Sequence, residues 1–145
     1  MTLSAFVALE IERLGARFTR SVTPRAQTIR GHVVPAEMSV LLDGSIEWPK
    51  GVTYRTVADN KADREVWWAE LNVYASLDRY ACAADRPFAC FGTSHQGNVF
   101  LCVALDDARP NDPMLYVLRD GTISASTPLS IFFSSLEREP TRKRR

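Results

Sequence analysis

The side chains that could carry out covalent chemistry lie mostly in the C-terminal half of the 145-residue chain. Cys90 and His95 are candidates for a thiolate and its base, a pair that needs a polar, electropositive setting to lower the thiol pKa. Cys90 instead lies in the apolar run Phe88 to Phe91, and Cys102 lies in a second apolar run. We therefore expect both cysteines to be buried packing residues without a catalytic role.

Three aspartates follow the second apolar run: Asp106, Asp107 and Asp112. Their carboxylates are of the kind that could bind a divalent cation. Their spacing does not match an EF-hand loop, so solvated carboxylates at the end of a strand are the default interpretation. The two histidines, without paired-cysteine spacing, do not favour a zinc site either.

Gly92 and Gly97 have the spacing of the glycines in a phosphate-binding loop. Asn98 and Val99 occupy the positions where Lys and Ser or Thr would clamp the phosphates, so the motif is incomplete. The sequence predicts no cofactor, no metal site and no complete set of nucleophile, base and orienting group.

The apolar runs around these residues predict a sheet. Phe88 to Phe91 and Val99 to Leu105 are separated by a polar turn, Gly92 to Gly97, which favours two adjacent strands. Because Val99 to Leu105 is apolar at every position, we expect a central strand that is covered on both faces. A third strand, Met114 to Leu118, leads to Asp120-Gly121, a pair typical of tight hairpins because it tolerates positive φ.

Helical periodicity and end signals predict the remaining elements. An apolar stripe from Leu3 to Phe18 predicts a helix over residues 1–20. The other predicted elements are a short helix from Pro35 to Gly44, a strand from Thr53 to Val57, a long helix from Asn60 to Tyr80, and a last helix capped by Thr127 that ends at Glu139-Pro140.

This order of elements predicts an α+β fold: a single domain with a mostly antiparallel sheet and flanking helices. We expect the domain to span residues 1–139, with its core in 33–139, and residues 140–145 to form a disordered basic tail. The N-terminus has no basic n-region and carries Glu10 and Glu12 within its apolar pattern, which does not fit a signal peptide. We therefore expect a cytoplasmic protein that makes no contact with a membrane.

The sequence resembles the SMI1/KNR4 (SUKH) superfamily from about Val33 to Leu136. The resemblance rests on the order of turns and strands rather than on one diagnostic residue, and it implies the same α+β fold. The matching positions are the helix start Val34 to Glu37, the turn residues Gly92, Gly97 and Asn98, then Asp106, Asp107, Tyr116, Asp120 and Gly121, and the stripe Leu129, Phe132, Phe133 and Leu136.

This resemblance implies a noncatalytic protein-binding function. Bacterial members of the superfamily are typically immunity proteins that neutralise a cognate polymorphic toxin, often a nuclease, by direct binding. Eukaryotic relatives are regulatory or scaffold proteins, which gives one alternative. A small enzyme that uses Cys90 or the Asp106–Asp107 pair is the other.

The charge distribution indicates what kind of partner to expect. Residues 35–139 hold nine basic and fifteen acidic side chains, a net charge of −6, while both ends of the chain are basic. An acidic protein is steered towards a basic toxin, so we expect a basic protein partner and no direct contact with nucleic acid. The candidate partner-binding residues are Trp68, Glu70, Asp106, Asp107 and Asp112. For Trp68, packing under the N-terminal helix is the alternative interpretation.

Overall fold

The computed structural model describes residues 3–18, 28–29, 31–42, 46–49, 52–56, 68–71, 86–94 and 99–140. Within these ranges the chain forms three helices and eleven strands. In chain order they are α1 (Ala5–Arg13), β1 (Arg17–Phe18), β2 (Thr28–Ile29), β3 (His32–Val33), α2 (Ala36–Leu42), β4 (Ile46–Glu47), β5 (Val52–Thr56), β6 (Trp68–Leu71), β7 (Phe88–Ser94), β8 (Val99–Ala104), β9 (Met114–Arg119), β10 (Thr122–Pro128), α3 (Leu129–Ser134) and β11 (Leu136–Pro140).

Seven of these strands form one antiparallel sheet, in the order β10-β9-β8-β7-β6-β5-β11. Two short antiparallel pairs, β1 with β4 and β2 with β3, lie outside it. The prediction of an α+β fold with an antiparallel sheet is confirmed. Each strand from β5 to β9 pairs with the next one along the chain. Strand β11 instead returns from far away in sequence to pair with β5.

Strand β8 is buried on both faces, as its unbroken apolar run predicts. Leu101 and Val103 belong to the larger core cluster, to which all three helices contribute side chains. Cys102 and Ala104 point to the other face and join a smaller cluster with Leu118. The helices therefore pack on one face of the sheet, and β8 is central as expected.

Helix α1 ends at Arg13, so the prediction of a helix over residues 1–20 is wrong beyond that point. Gly15 takes φ +88°, a left-handed conformation that suits glycine. The amides of Gly15 and Ala16 donate to the carbonyls of Glu12 and Ile11, which completes a Schellman-type helix end. The chain then enters β1, where Phe18 pairs with Ile46.

The helix predicted from Asn60 to Tyr80 is wrong where the structure describes it, because Trp68–Leu71 is strand β6. Ala69 is in register with Tyr54 on one side and Ser94 on the other, so β6 joins β5 to β7. Pairing on both sides overrides the local helical pattern here, since strand preference depends mainly on sheet context. The rest of the predicted helix lies outside the described residues.

The last helix is shorter than predicted. Its N-cap is Pro128, which makes no side-chain cap, and both Thr127 and Pro128 belong to β10. The helix ends at Ser134, and Leu136 continues the buried stripe from a strand rather than from the helix. Arg13 stabilises this junction because its Nη2 donates to the carbonyls of Phe133 and Leu136, each at 2.9 Å.

The other predicted turns and boundaries come close to what the structure shows. Asp120 and Gly121 have φ +51° and +75° and connect β9 to β10 through a tight hairpin, as predicted. Helix α2 lies within the predicted Pro35 to Gly44, and β5 includes the predicted residues Thr53 to Thr56. Strand β7, however, continues to Ser94, so the turn does not begin at Gly92. The predicted disordered tail, 140–145, is wrong at its first residue, because Pro140 ends strand β11 and pairs with Val52. Residues 141–145 lie outside the described residues.

Candidate binding loop

The three aspartates that the sequence singles out lie together in the connection between β8 and β9, residues Leu105–Pro113, here called the binding loop. Trp68 and Glu70 lie on β6, which pairs with the C-terminal end of β7, Gly92–Ser94. The binding loop lies at the other end of β7, where Phe88 pairs with Ala104. That places Trp68 about 20 Å from the loop along the strand direction. The structure therefore does not bring the proposed tryptophan anchor together with the aspartates.

Asp107 holds the start of the loop in place. Its Oδ1 accepts a hydrogen bond from the backbone amide of Arg109 at 2.8 Å, and its Oδ2 accepts one from the amide of Met114 at 3.0 Å. The first bond closes an Asx-type turn, and the second ties the loop to the beginning of β9. Asp107 is half-buried, so its carboxylate stabilises the loop rather than facing solvent freely.

Asp112 supplies the cap that α3 lacks. Its Oδ1 accepts from the Ser130 amide at 2.8 Å and its Oδ2 accepts from the Ser130 hydroxyl at 2.7 Å. The carbonyl of Pro113 accepts from the amide of Leu129. Because Pro128 cannot provide a capping side chain, the loop satisfies the first amides of α3 from a distance in sequence.

The binding loop is also attached to α1. The backbone amide of Ser4 donates to the carbonyl of Asn111 at 3.2 Å, immediately before the helix begins. Two large apolar side chains of that helix are exposed, Phe6 by 52% and Leu9 by 63%. They lie three residues apart, so they share a side of the helix. An exposed apolar pair thus begins two residues from the point where helix and loop are joined.

Asp106 belongs to a cluster built on Arg86. The Arg86 guanidinium donates from Nη2 to Asp106 Oδ1 at 2.9 Å and from Nη1 to the Tyr116 hydroxyl at 2.6 Å. It also lies over the rings of Phe88 and Tyr116, at 5.4 and 5.1 Å from their centroids. The hydrogen bond to Asp106, and then the one to Tyr116, raise the pKa of Arg86 above its ordinary value.

The charge of this surface is mixed. Asp106 keeps 52% of its side chain exposed although it is paired with Arg86, and Asp112 keeps only 20% exposed. Arg109 projects from the same loop with 67% of its side chain exposed and lies 3.4 Å from Asp112 Oδ2. Asp106 is therefore the most exposed carboxylate of the three, and Arg109 adds an exposed cation to the same loop.

The environment of the cysteines agrees with a packing role. Cys90 and Cys102 are buried and occupy directly opposite positions on β7 and β8. The Cys90 thiol donates to the Gly92 carbonyl, with Sγ 3.2 Å from the oxygen. Both residues were predicted to be buried, and this is confirmed. Cys82 and His95 lie outside the described residues.

Comparisons with known proteins identify no relative. No family model, curated protein or solved structure matches the chain. In the part of the chain that the structure describes, no group of His, Cys, Asp and Glu side chains could hold a metal ion. None of the described helices has the length and apolar character needed to cross a bilayer.

Three residues that contribute to this surface were not among the predicted partner-binding residues: Phe6, Arg86 and Tyr116. Of these, Tyr116 had been named only as a matching position of the SMI1/KNR4 resemblance. Tyr116 carried a signal, since its hydroxyl interrupts an otherwise apolar strand and needs a hydrogen-bond partner. Arg86 and Phe6 carried none, because an arginine before a strand and a phenylalanine in an amphipathic helix are both ordinary. Only the packing shows that Phe6 is exposed and that Arg86 reaches both Asp106 and Tyr116.

Proposed function

We propose that this chain is a noncatalytic binding protein that neutralises a protein toxin by direct contact, and that it acts in the cytoplasm of a bacterium as an immunity protein. The SMI1/KNR4 resemblance supports the class of function. The observation that carries the proposal is the binding loop, which is clamped at both ends and lies beside the exposed Phe6 and Leu9.

A clamped loop favours binding because its order is established before the partner arrives. Association costs free energy for each segment that must be immobilised, and a loop already held by Asp107 and Asp112 avoids most of that cost. Phe6 supplies the exposed aromatic side chain that binding hot spots commonly use. In this proposal Phe6 replaces Trp68 as the anchor, since Trp68 lies at the far end of the sheet.

Charge determines which partner suits this surface. The net charge of −6 over residues 35–139 favours encounter with a basic protein. Asp106 would meet the partner's cations, while Arg109 would require a carboxylate or carbonyl opposite it. A toxin that acts on nucleic acid has basic surroundings at its active site and fits the first requirement. The described surface thus favours a basic domain with at least one acceptor group opposite Arg109.

The test begins with the genes beside this one: a neighbouring gene that encodes a toxin domain supports the proposal and supplies the domain to be tested, and the absence of such a gene counts against it. That domain is expressed from an inducible promoter with and without this chain, and growth is compared. Restored growth, together with a purified complex of one copy each, supports the proposal. The variant Phe6→Ser should weaken the complex at least about ten-fold, a typical effect for a hot-spot aromatic residue.

Val33→Ser is the matched control, because Val33 is also exposed but lies on the small β2–β3 hairpin. It should leave the affinity unchanged. If the chain neither restores growth nor binds the neighbouring toxin domain at micromolar concentration, the proposed function is wrong. If both variants bind as the wild type does, the function stands but the surface is misplaced.

A further inference from the structure

The two edges of the seven-stranded sheet differ in charge. Strand β11 forms one edge and carries Glu137, Arg138 and Glu139 before it ends at Pro140. Charged side chains and proline are the usual protection of an edge strand against pairing with another chain. Strand β10 forms the other edge, and the whole stretch from Gly121 to Leu136 contains no charged residue. Pro128 and the irregular pairing before it protect the C-terminal end of β10, but Thr122–Ser126 has neither charge nor proline.

The free side of β10 offers a regular row of backbone groups. Arg119 and Thr122 flank the two-residue hairpin and form its first hydrogen-bonded pair, so Thr122 and Ser124 direct their amides and carbonyls towards β9. The alternate residues, Ile123 and Ala125, therefore direct theirs away from the sheet. Among the described residues no strand lies on that side.

We propose that β10 pairs with β10 of a second copy of this chain, in antiparallel orientation, to form a two-fold symmetric dimer. Backbone pairing at an open edge is a common way for proteins to bind an extended segment. A second copy fits because the edge is uncharged: two identical strands meet without like charges facing each other, and two-fold symmetry pairs the same patch on both subunits. A partner strand rich in charge would gain the same backbone hydrogen bonds but no charge complementarity from this edge.

The register follows from the same alternation. If Ser124 faces Ser124 of the second copy, Ile123 of each copy pairs with Ala125 of the other, and four backbone hydrogen bonds form. This register uses only Thr122–Ser126 and thus stops before Pro128, which has no amide to donate. The pairing of β10 with β9 also becomes irregular between Ala125 and Pro128. A register shifted towards either end of β10 would require pairing by the turn residue Gly121 or by this irregular segment.

The first experiment measures the mass of the intact chain by light scattering from about 1 to 300 μM. The proposal expects a concentration-dependent rise to twice the monomer's 16.3 kDa. Ala125→Pro removes one outward amide from each copy but no bond to β9, a position where an edge strand tolerates proline. It should raise the dimer dissociation constant at least about ten-fold, since symmetry removes two hydrogen bonds.

A second variant guards against misfolding. Ser124→Lys places a charge at the two-fold axis, where it would face its own copy, and should also yield monomer. Ser134→Lys is the matched control, because it introduces the same change at an exposed position on α3. It should leave the dimer intact. Circular dichroism establishes that each variant keeps its fold.

A cross-link tests the register. In a Cys82→Ser background, Ser124→Cys is oxidised with oxidised glutathione, so that two thiols form one intermolecular disulfide and the glutathione disulfide is reduced to two thiols. Opposed residues in a non-hydrogen-bonded pair have Cα atoms about 4.5 Å apart, within disulfide range. Ser126→Cys should not cross-link, because in this register it faces Thr122.

Two results together support the proposal. Ala125→Pro and Ser124→Lys abolish the dimer, and oxidation cross-links Ser124→Cys but not Ser126→Cys. Three results overturn the proposal. One is that the chain stays monomeric at every concentration, even if a different protein is found to pair with β10. Another is a dimer that both edge variants leave intact. The third is a dimer that cross-links through Ser126→Cys rather than Ser124→Cys.

Discussion

Replacing Asp112 by Ala removes both acceptors that hold Ser130, and with them the only side-chain cap that the described structure gives α3. Loss of a helix cap costs about 0.5 to 2 kcal/mol. Ser130 is half-buried, so its amide and hydroxyl regain only part of their hydrogen bonding from water. We therefore expect Asp112→Ala to lower the free energy of unfolding by about 2 kcal/mol, the upper part of that range.

Urea denaturation followed by circular dichroism measures this loss. With a slope of about 2 kcal/mol per molar, the expected cost lowers the midpoint by about 1 M. Two controls separate the cap from the charge. Asp112→Asn keeps an oxygen for the Ser130 amide and should cost less than about 0.5 kcal/mol. Asp106→Ala removes an exposed carboxylate of the same loop and should also cost less than about 0.5 kcal/mol.

The comparison between the two alanine variants decides the outcome. If Asp112→Ala unfolds at the same urea concentration as Asp106→Ala, the loop does not cap α3 in solution. The view of the binding loop as a clamped, preorganised segment would then lose its main support.

Three further predictions concern the core. Val103 is fully buried on β8, so Val103→Asp should cost several kcal/mol, about 4 or more, and abolish a cooperative thermal transition. A melting temperature within a degree or two of wild type corresponds to less than about 1 kcal/mol and would contradict the central position of this strand. Cys90→Ala and Cys102→Ala should each cost about 1 kcal/mol and leave partner binding intact, and rapid labelling of either native thiol by a thiol reagent would count against a packing role. Burial raises the pKa of Tyr54 to about 12, above the unfolded value of about 10. The stability that the neutral, buried phenol contributes is therefore complete below about pH 10 and is lost as the pH rises towards 12. Tyr54→Phe should therefore lose less stability than wild type over that interval, and parallel pH profiles of the two proteins would refute the assignment.

Local sequence patterns predicted the elements whose structure is decided locally. The apolar run from Val99 to Leu105 allows few positions other than the centre of a sheet, because both of its faces must be covered. Asp120-Gly121 predicted its hairpin because few residue pairs tolerate two positive φ angles. The end of α1 also has a local cause, the left-handed conformation of Gly15, although the apolar stripe extended the predicted helix to residue 20.

The errors arose where distant segments determine the structure. Trp68–Leu71 fits a helical pattern, but its place between β5 and β7 makes it a strand. Leu136 continues an apolar stripe with helical spacing, yet it pairs with Thr56, eighty residues away in sequence. No local pattern encodes such a pairing, so the sequence wrongly predicted helix for both segments.

The candidate site was predicted in part. The aspartates were found because three acids near the end of a strand are conspicuous in the sequence. Their different roles were not, because Asp107 and Asp112 bind backbone groups seven and eighteen residues away. Of the three, Asp106 is the one that is exposed, as the sequence suggested for all of them. Its partner Arg86 comes just before the neighbouring strand β7.

The rate of association with the neighbouring toxin domain, measured by stopped flow at low and physiological salt, will show whether Asp106 steers the partner to the binding loop. Asp106→Asn removes one exposed charge and should slow association about two-fold at low salt for each toxin cation about 10 Å away. At physiological salt the effect should shrink, because the Debye length falls to about 8 Å. Asp120→Asn is the matched control: it removes an equal charge at the β9–β10 hairpin, where asparagine tolerates the positive φ. We expect slower association for Asp106→Asn and a smaller change for Asp120→Asn. Equal association rates for wild type and Asp106→Asn at low salt would contradict binding through this loop.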